Sequence, residues 1–324
     1  HGSSSFIYLF VKKLNLITSG SLKTLVMGTH ASALPKRTLE EEPYNFVCQG
    51  EGPITISKLI DRIKNNSNDY DKIPGLWYYD KDKLIRNNIK SEMFDNLDKH
   101  LPGQDWNYLD MSKYKAHNWH TFGRLETRNK YASLQTSLGC PFKCTFCCIN
   151  APFNRNTLRF WSAKHIVNQI KILVEEYGIF NIKIPDEMFV LNPKQVTDIC
   201  DEIISSGYGE NLNFWAYARI DTLEDDVMLH KMIKAGFKWL GLGIESSSPN
   251  VRNDVIKGRF TNLDIEGTVK KVRDIGFNVG ANYIFGLPND TTDTMRTTLD
   301  LAKELNTDWA NFYCAMAYPG SPLH

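Results

Sequence analysis

Beyond residue 131 the chain alternates between two hydrophobic rhythms. Apolar runs at 131–137, 180–185, 211–217, 238–244, 278–285 and 309–315 have the length and bounding turns of buried strands. Between them, 162–177, 193–206, 222–235, 262–275 and 291–305 carry apolar residues at the spacing of a helix with one buried face. Asp, Ser, Thr or Asn stands near several helix starts, where a short polar side chain caps free N–H groups. Gly178, Gly207, Gly236 and Gly276 lie at or just past four helix ends, where a left-handed residue closes the last turn. This succession of βα units predicts an α/β fold, a parallel sheet curled into a partial (βα)6 TIM-like barrel over 131–324. Chemistry in such a barrel sits at the carboxyl ends of the strands.

Upstream the rhythm is shorter. The apolar run 6–17, interrupted by Lys12 and Lys13, predicts a buried helix, too short for a membrane span and lacking a signal-peptide cleavage site. A run at 23–28 leads into Gly28-Thr29-His30-Ala31, and Phe46-Val47-Cys48 leads into Gly50-Glu51-Gly52, with a helix at 57–64. That order predicts, over 1–64, the later part of a doubly wound Rossmann-like sheet whose first half lies upstream. The missing initiating methionine and the end just after a strand read as a fragment. Residues 65–130 are turn-rich and hold Trp77-Tyr78-Tyr79, Trp106, Trp119 and Phe122, a connector expected to pack through its aromatics.

Charge narrows the partners. Lys and Arg number 38 against 37 Asp and Glu in 324 residues, so no field selects nucleic acid or a membrane surface. A small-molecule substrate is expected instead. The seven cysteines form no disulfide framework, which suits a reducing cytoplasm, and Cys48, Cys148, Cys200 and Cys314 read as small buried hydrophobes.

The other three are Cys140, Cys144 and Cys147, in Thr-Ser-Leu-Gly-Cys-Pro-Phe-Lys-Cys-Thr-Phe-Cys-Cys. Three thiolates in one short loop suit three corners of a [4Fe–4S] cube and leave the fourth iron open to a ligand. Gly139 and Pro141 turn the backbone out of the preceding strand. Structural zinc and unliganded core cysteines are the alternatives, but zinc normally takes four ligands from two knuckles and no second knuckle follows. Cys148 adjoins Cys147, so their side chains diverge.

The cysteine loop and the unit order after it resemble the radical S-adenosylmethionine (SAM) enzymes over 131–317, and 20–64 resemble the end of the cobalamin-binding domain that precedes the barrel in one branch of that superfamily. The resemblance implies that a [4Fe–4S] cluster on Cys140, Cys144 and Cys147 cleaves SAM to a 5′-deoxyadenosyl radical. It implies a methionine ammonium held by Asp186 or Glu187, in Pro-Asp-Glu where the family usually has Gly-Gly-Glu. Arg219 would meet the methionine carboxylate, with an Arg219–Asp221 pair as the rival, and Glu245 would take the ribose hydroxyls. Gly280, Ile284 and Gly286 would flank adenine, and the loop Tyr318-Pro319-Gly320 would close over adenine or substrate.

Gly28, Thr29, His30, Gly50, Glu51 and Gly52 would contact cobalamin, His30 at its periphery rather than as the cobalt ligand. Met27 and Pro53 depart from the branch's pattern. The implied reaction is C-methylation of an unactivated carbon through methylcobalamin, with an electron donor such as flavodoxin or ferredoxin. Ring rearrangement or oxidative cyclisation, methylthiolation of RNA, and a non-catalytic electron-transfer protein are the alternatives. Methylthiolation would need three further upstream cluster cysteines, and Cys48 alone does not supply them.

Overall fold

Each βα crossover forms because a strand with one apolar face is followed by a helix with one apolar stripe, and both bury against each other. The computed structural model describes residues 2–80, 85–87, 89–116, 129–255 and 264–324. They fall into two units, one of His1–Phe94, Lys143–Asn156 and Met316–His324, the other of Asp95–Phe142 and Thr157–Ala315.

The first unit holds helices α1 (Gly2–Ile17), α2 (Thr29–Ala33), α3 (Pro35–Glu41) and α4 (Pro53–Lys64), and strands β1 (Leu25–Val26), β2 (Phe46–Cys48), β3 (Leu76–Tyr79) and β4 (Ile85–Asn87). Strands β1 and β2 are parallel, while β3 and β4 add to them antiparallel. Trp77-Tyr78-Tyr79 is therefore sheet rather than connector, and the Trp77 indole donates to Gln49 Oε1 at 2.8 Å. The units cut across the sequence divisions at 64 and 130 for this reason. Helix α1 forms as expected but is largely exposed: among its residues of described burial only Val11 is enclosed, and Leu9, Leu16 and Ile17 are mostly exposed.

The second unit contains α5 (Leu97–His100), α6 (Ala163–Tyr177), α7 (Pro193–Ser205), α8 (Asp226–Lys234), α9 (Pro249–Asp254), α10 (Ile265–Ile275) and α11 (Thr292–Leu305). Its strands are β5 (Tyr131–Ser133), β6 (Ser137–Leu138), β7 (Arg159–Phe160), β8 (Asn181–Ile184), β9 (Asn213–Arg219), β10 (Phe237–Glu245), β11 (Asn278–Phe285) and β12 (Trp309–Cys314). The main sheet runs β12-β11-β10-β9-β8-β5, every neighbouring pair parallel and every neighbour next in the series, the order of a partial barrel. The expected first strand 131–137 is split: β5 ends at Ser133, and Ser137–Leu138 pairs antiparallel with β7.

Alternation sorts the two faces of the sheet. Phe214, Ala216 and Ala218 of β9, Leu240, Leu242 and Ile244 of β10, and Val279, Ala281 and Tyr283 of β11 join the core shared with the helices. The other face carries Trp215, Trp239 and Ala116, with Tyr131 and Tyr217 packed on them. Glycine closes α6 and α10, Gly178 and Gly276 having φ of 61° and 116°, and Gly207 and Gly236 follow the caps of α7 and α8. Part of the connector lies against α6, with the Trp106 indole on Gln169 at 3.3 Å and the Tyr177 hydroxyl on Asn107 at 3.0 Å. Trp119 and Phe122 lie outside the described residues. No described helix is long and apolar enough to cross a membrane.

Candidate active site at the strand ends

The cysteine loop leaves β6 at Gly139, whose φ of 91° is the left-handed turn that glycine permits. Cys140 and Cys144 are buried, and Cys147, half-buried, closes a short turn by donating its N–H to the Cys144 carbonyl at 3.0 Å. Among the described residues no three His, Cys, Asp or Glu side chains converge as ligands of one metal ion. A cube asks less of them, since each thiolate then meets a different iron. Of the remaining cysteines, Cys48 and Cys200 are buried as expected, whereas Cys148 is half-buried and Cys314 exposed.

Asp186 is 2% exposed just past β8, and its carboxylate is already engaged. Oδ1 accepts from Thr136 N–H at 2.8 Å, and Oδ2 from the Thr136 and Ser137 hydroxyls at 2.6 and 2.5 Å. Burial pushes this carboxyl above the ordinary range, opposed by hydrogen bonds from Ser137 and Thr136, side chain and backbone alike. A carboxylate so saturated is a tie between β8 and the segment feeding the cysteine loop, not a free acceptor. Glu187 next to it retains exposed surface, so the upward push on it from burial and from Asp186 is moderated by water. Glu187 is the one with acceptor oxygens to offer.

Arg219 ends β9 in the arrangement the sequence allowed as the rival. Its Nε donates to Asp221 Oδ1 at 2.9 Å and its Nη2 to Oδ2, a fork-to-fork pair with side chains only 6% and 14% exposed. The guanidinium also lies over the Phe142 ring, 3.9 Å from its centroid, between Cys140 and Cys144 in the chain. Arg219 thus braces the cysteine loop.

Glu245 is buried at the end of β10 with φ of 68°, a left-handed conformation unusual for a residue with a Cβ. The strand bulges between Gly243 and Glu245, and such a bulge re-aims the side chain beyond it. Arg252 holds the following turn by donating Nη1 to the Ser246 and Ser247 carbonyls at 2.6 and 2.7 Å. No simple sequence signal marks Arg252 for this task. Burial pushes the Tyr313 hydroxyl up, with smaller upward contributions from Tyr217 and Glu245.

Gly241 and Gly280 each lie against an aromatic ring. A Cβ on Gly241 would stand 2.7 Å from the Tyr217 ring, and one on Gly280 would stand 3.1 Å from the Trp215 indole. Gly280 therefore makes room for the aromatic floor of the barrel, where Trp215 and Trp239 stack at 5.2 Å. Ile284 and Gly286 do lie at the carboxyl end, Gly286 turning at φ of 79° with its N–H on Asp290 at 2.8 Å.

The first unit contains a separate cavity of about 880 Å³ beyond the carboxyl ends of β1 and β2, lined by Ser32, Gly50, Ser91, Phe153, Arg155 and Gly320 among others. Gly50 in its wall makes room for Ser91: a Cβ there would fall 1.9 Å from Ser91 Oγ. Gly28, Thr29, His30, Glu51 and Gly52 are not in its wall. Gly28 and Gly52 instead precede α2 and α4 at φ of 115° and 108°, and the Met27 methyl fills the space beside Gly52. The loop expected to close over adenine lies in this unit, with Gly320 against Ala151 and Ala33.

Residues 134–302 match the Radical SAM superfamily. An uncharacterized methyltransferase of Pyrococcus horikoshii is 31% identical over 91% of this chain and 61% of its own length. The anaerobic magnesium-protoporphyrin IX monomethyl ester cyclase of Cereibacter sphaeroides is 25% identical over 91% of the chain and 47% of its own. The chain thus spans about half to three fifths of these relatives. Among solved structures, the radical SAM methyltransferase TsrM of Kitasatospora setae, with cobalamin and a [4Fe-4S] cluster bound, superposes with a TM-score of 0.74 at 18% identity, over 97% of this chain and 60% of that one.

Proposed function

Because the chain belongs to the radical SAM superfamily, we propose that it forms the catalytic part of a cobalamin-dependent enzyme that methylates an unactivated carbon of a small molecule. The observation that carries the cobalamin part is the cavity of the first unit. Its wall joins Ser32 of α2 and Gly50 just past β2 to residues 151–155, which follow the cluster cysteines in the chain. A crevice outside the carboxyl ends of parallel strands is where such sheets take cofactors.

Cys140, Cys144 and Cys147 would hold the cluster and Gly50, with Ser32 behind it, the cobalamin. When bound, these groups and SAM supply an electron, a hydrogen-abstracting radical and a methyl group. The chain's own residues position and exclude. Glu187 accepts from the methionine ammonium, Glu245 from the ribose hydroxyls, and Ile284 and Gly286 border adenine. Asp186 and Arg219 keep the cysteine loop in register from behind, through Thr136, Ser137 and Phe142. An electron donor of the flavodoxin or ferredoxin kind and a cytoplasmic setting complete the reading. The 25% identity to the cyclase favours oxidative cyclisation as the second reading.

The test is an anaerobic titration of hydroxocobalamin into the cluster-loaded chain, followed by its visible spectrum. Saturable binding that Gly50→Val weakens at unchanged iron content supports the methylase. Indifference of the spectrum both to the chain and to a version extended by its native upstream residues rejects cobalamin and leaves the cyclase reading.

A further inference from the structure

The concave face of the half-barrel carries hydrogen-bond donors with no partner among the described residues, the Trp215 indole N–H among them. Lys183 of β8 projects onto the face of Trp215 and Tyr217, its Nζ 5.1 Å from the centre of the Tyr217 ring. Among the described residues it has no carboxylate partner, whereas lysines on the outer surface such as Lys231 and Lys303 sit 2.6 and 2.9 Å from aspartates. Lys183 is half-buried against these aromatic rings. The Tyr217 and Tyr313 hydroxyls also have no hydrogen-bond partner among the described residues, and Tyr313 is nearly half exposed.

The wall beside them is already self-satisfied. The Trp309 indole donates to Asn311 at 2.7 Å, Asn311 to Asn282 at 3.0 Å, and Asn282 to the Leu242 carbonyl at 3.2 Å. The floor is closed by Trp215 and Trp239. Glu245 supplies a carboxylate at the strand-end rim. Charge is thus polarised along the face, negative at the rim and positive at Lys183.

We propose that this face binds the substrate by an anionic group, a carboxylate or phosphate, paired with Lys183 Nζ and hydrogen-bonded by the Tyr217 and Tyr313 hydroxyls. The inference rests on the reading of the chain as a radical SAM enzyme whose substrate enters the barrel. Glu245 repels the anionic end, so the carbon to be attacked is presented at the rim, where the radical would form. Lys183 and the two tyrosines are specificity-determining residues; the step itself belongs to the rim.

The test uses the cluster-loaded chain and calorimetric titration with two probes, pyrophosphate and succinate, which separate the phosphate from the carboxylate source. Saturable binding of either probe is expected, weakened about tenfold or more in Lys183→Gln, as loss of one charge-assisted bond implies. Lys183→Arg should restore most of it, and Tyr313→Phe should give a smaller loss. SAM affinity should stay unchanged in all three variants. Equal probe affinity in Lys183→Gln, or no saturable binding to the wild type, overturns the proposal. A parallel loss of SAM affinity overturns it too, by assigning Lys183 to the methionine carboxylate. Formation of 5′-deoxyadenosine on the same preparations reports separately on the radical SAM reading.

Discussion

Asp186 shows how a single buried carboxyl departs from what its residue type suggests. An acidic residue at a strand end reads as a ligand for a cation, yet donors from Thr136 and Ser137 occupy it. Asp186→Asn turns an N–H₂ toward one of those donors, and the expected loss is about 1–3 kcal/mol. The pH dependence has an unusual sign. Burial raises the native pKa, so the folded chain holds this proton after the unfolded chain, titrating near 3.9, has released it. Its contribution is fullest below that value and declines as pH rises through the raised native one. Thermal unfolding of wild type and Asp186→Asn should therefore show a gap that narrows upward from about pH 4; a gap that widens contradicts the assignment.

Tyr283 gives a second prediction at this scale. Its ring is fully buried and stacked on Phe312 at 5.1 Å, its hydroxyl has no partner among the described residues, and burial pushes its pKa to about 12. Tyr283→Phe keeps the stack and removes the orphan. The melting temperature should hold or rise by an amount worth up to about 1 kcal/mol, and a drop would reveal an unseen partner.

At the scale of elements, the strands and helices of the barrel were legible because their periods are long and their caps chemically distinct. Ser162, Asn192, Asp225 and Thr291 each accept a backbone N–H at a helix start. What resisted was anything decided by the opposite strand. The sequence does not show that Gly280 also gives Trp215 its space, nor that Arg219 also pairs with Asp221 and lies over Phe142. Helix α1 carries an apolar run that predicts burial, but burial depends on what covers the helix. Gly241→Ala tests the packing directly, since its Cβ falls 2.7 Å from the Tyr217 ring. Overpacking should cost about 1–3 kcal/mol, read as a lower urea midpoint. No change would mean that Tyr217 swings freely and that the donor face is less fixed than described.

In the whole molecule, the barrel's strand ends carry Glu187, Glu245 and the start of the braced cysteine loop, and the smaller unit has a cavity at its own strand ends. Everything functional depends on the cysteines acting as a set. The decisive measurement is iron and sulfide content of anaerobically reconstituted chains, with 5′-deoxyadenosine formed from SAM after reduction. Cys140→Ala, Cys144→Ala and Cys147→Ala should each lose the intact cluster and the product, while Cys148→Ala keeps both. Full cluster content and undiminished product in Cys144→Ala would contradict this.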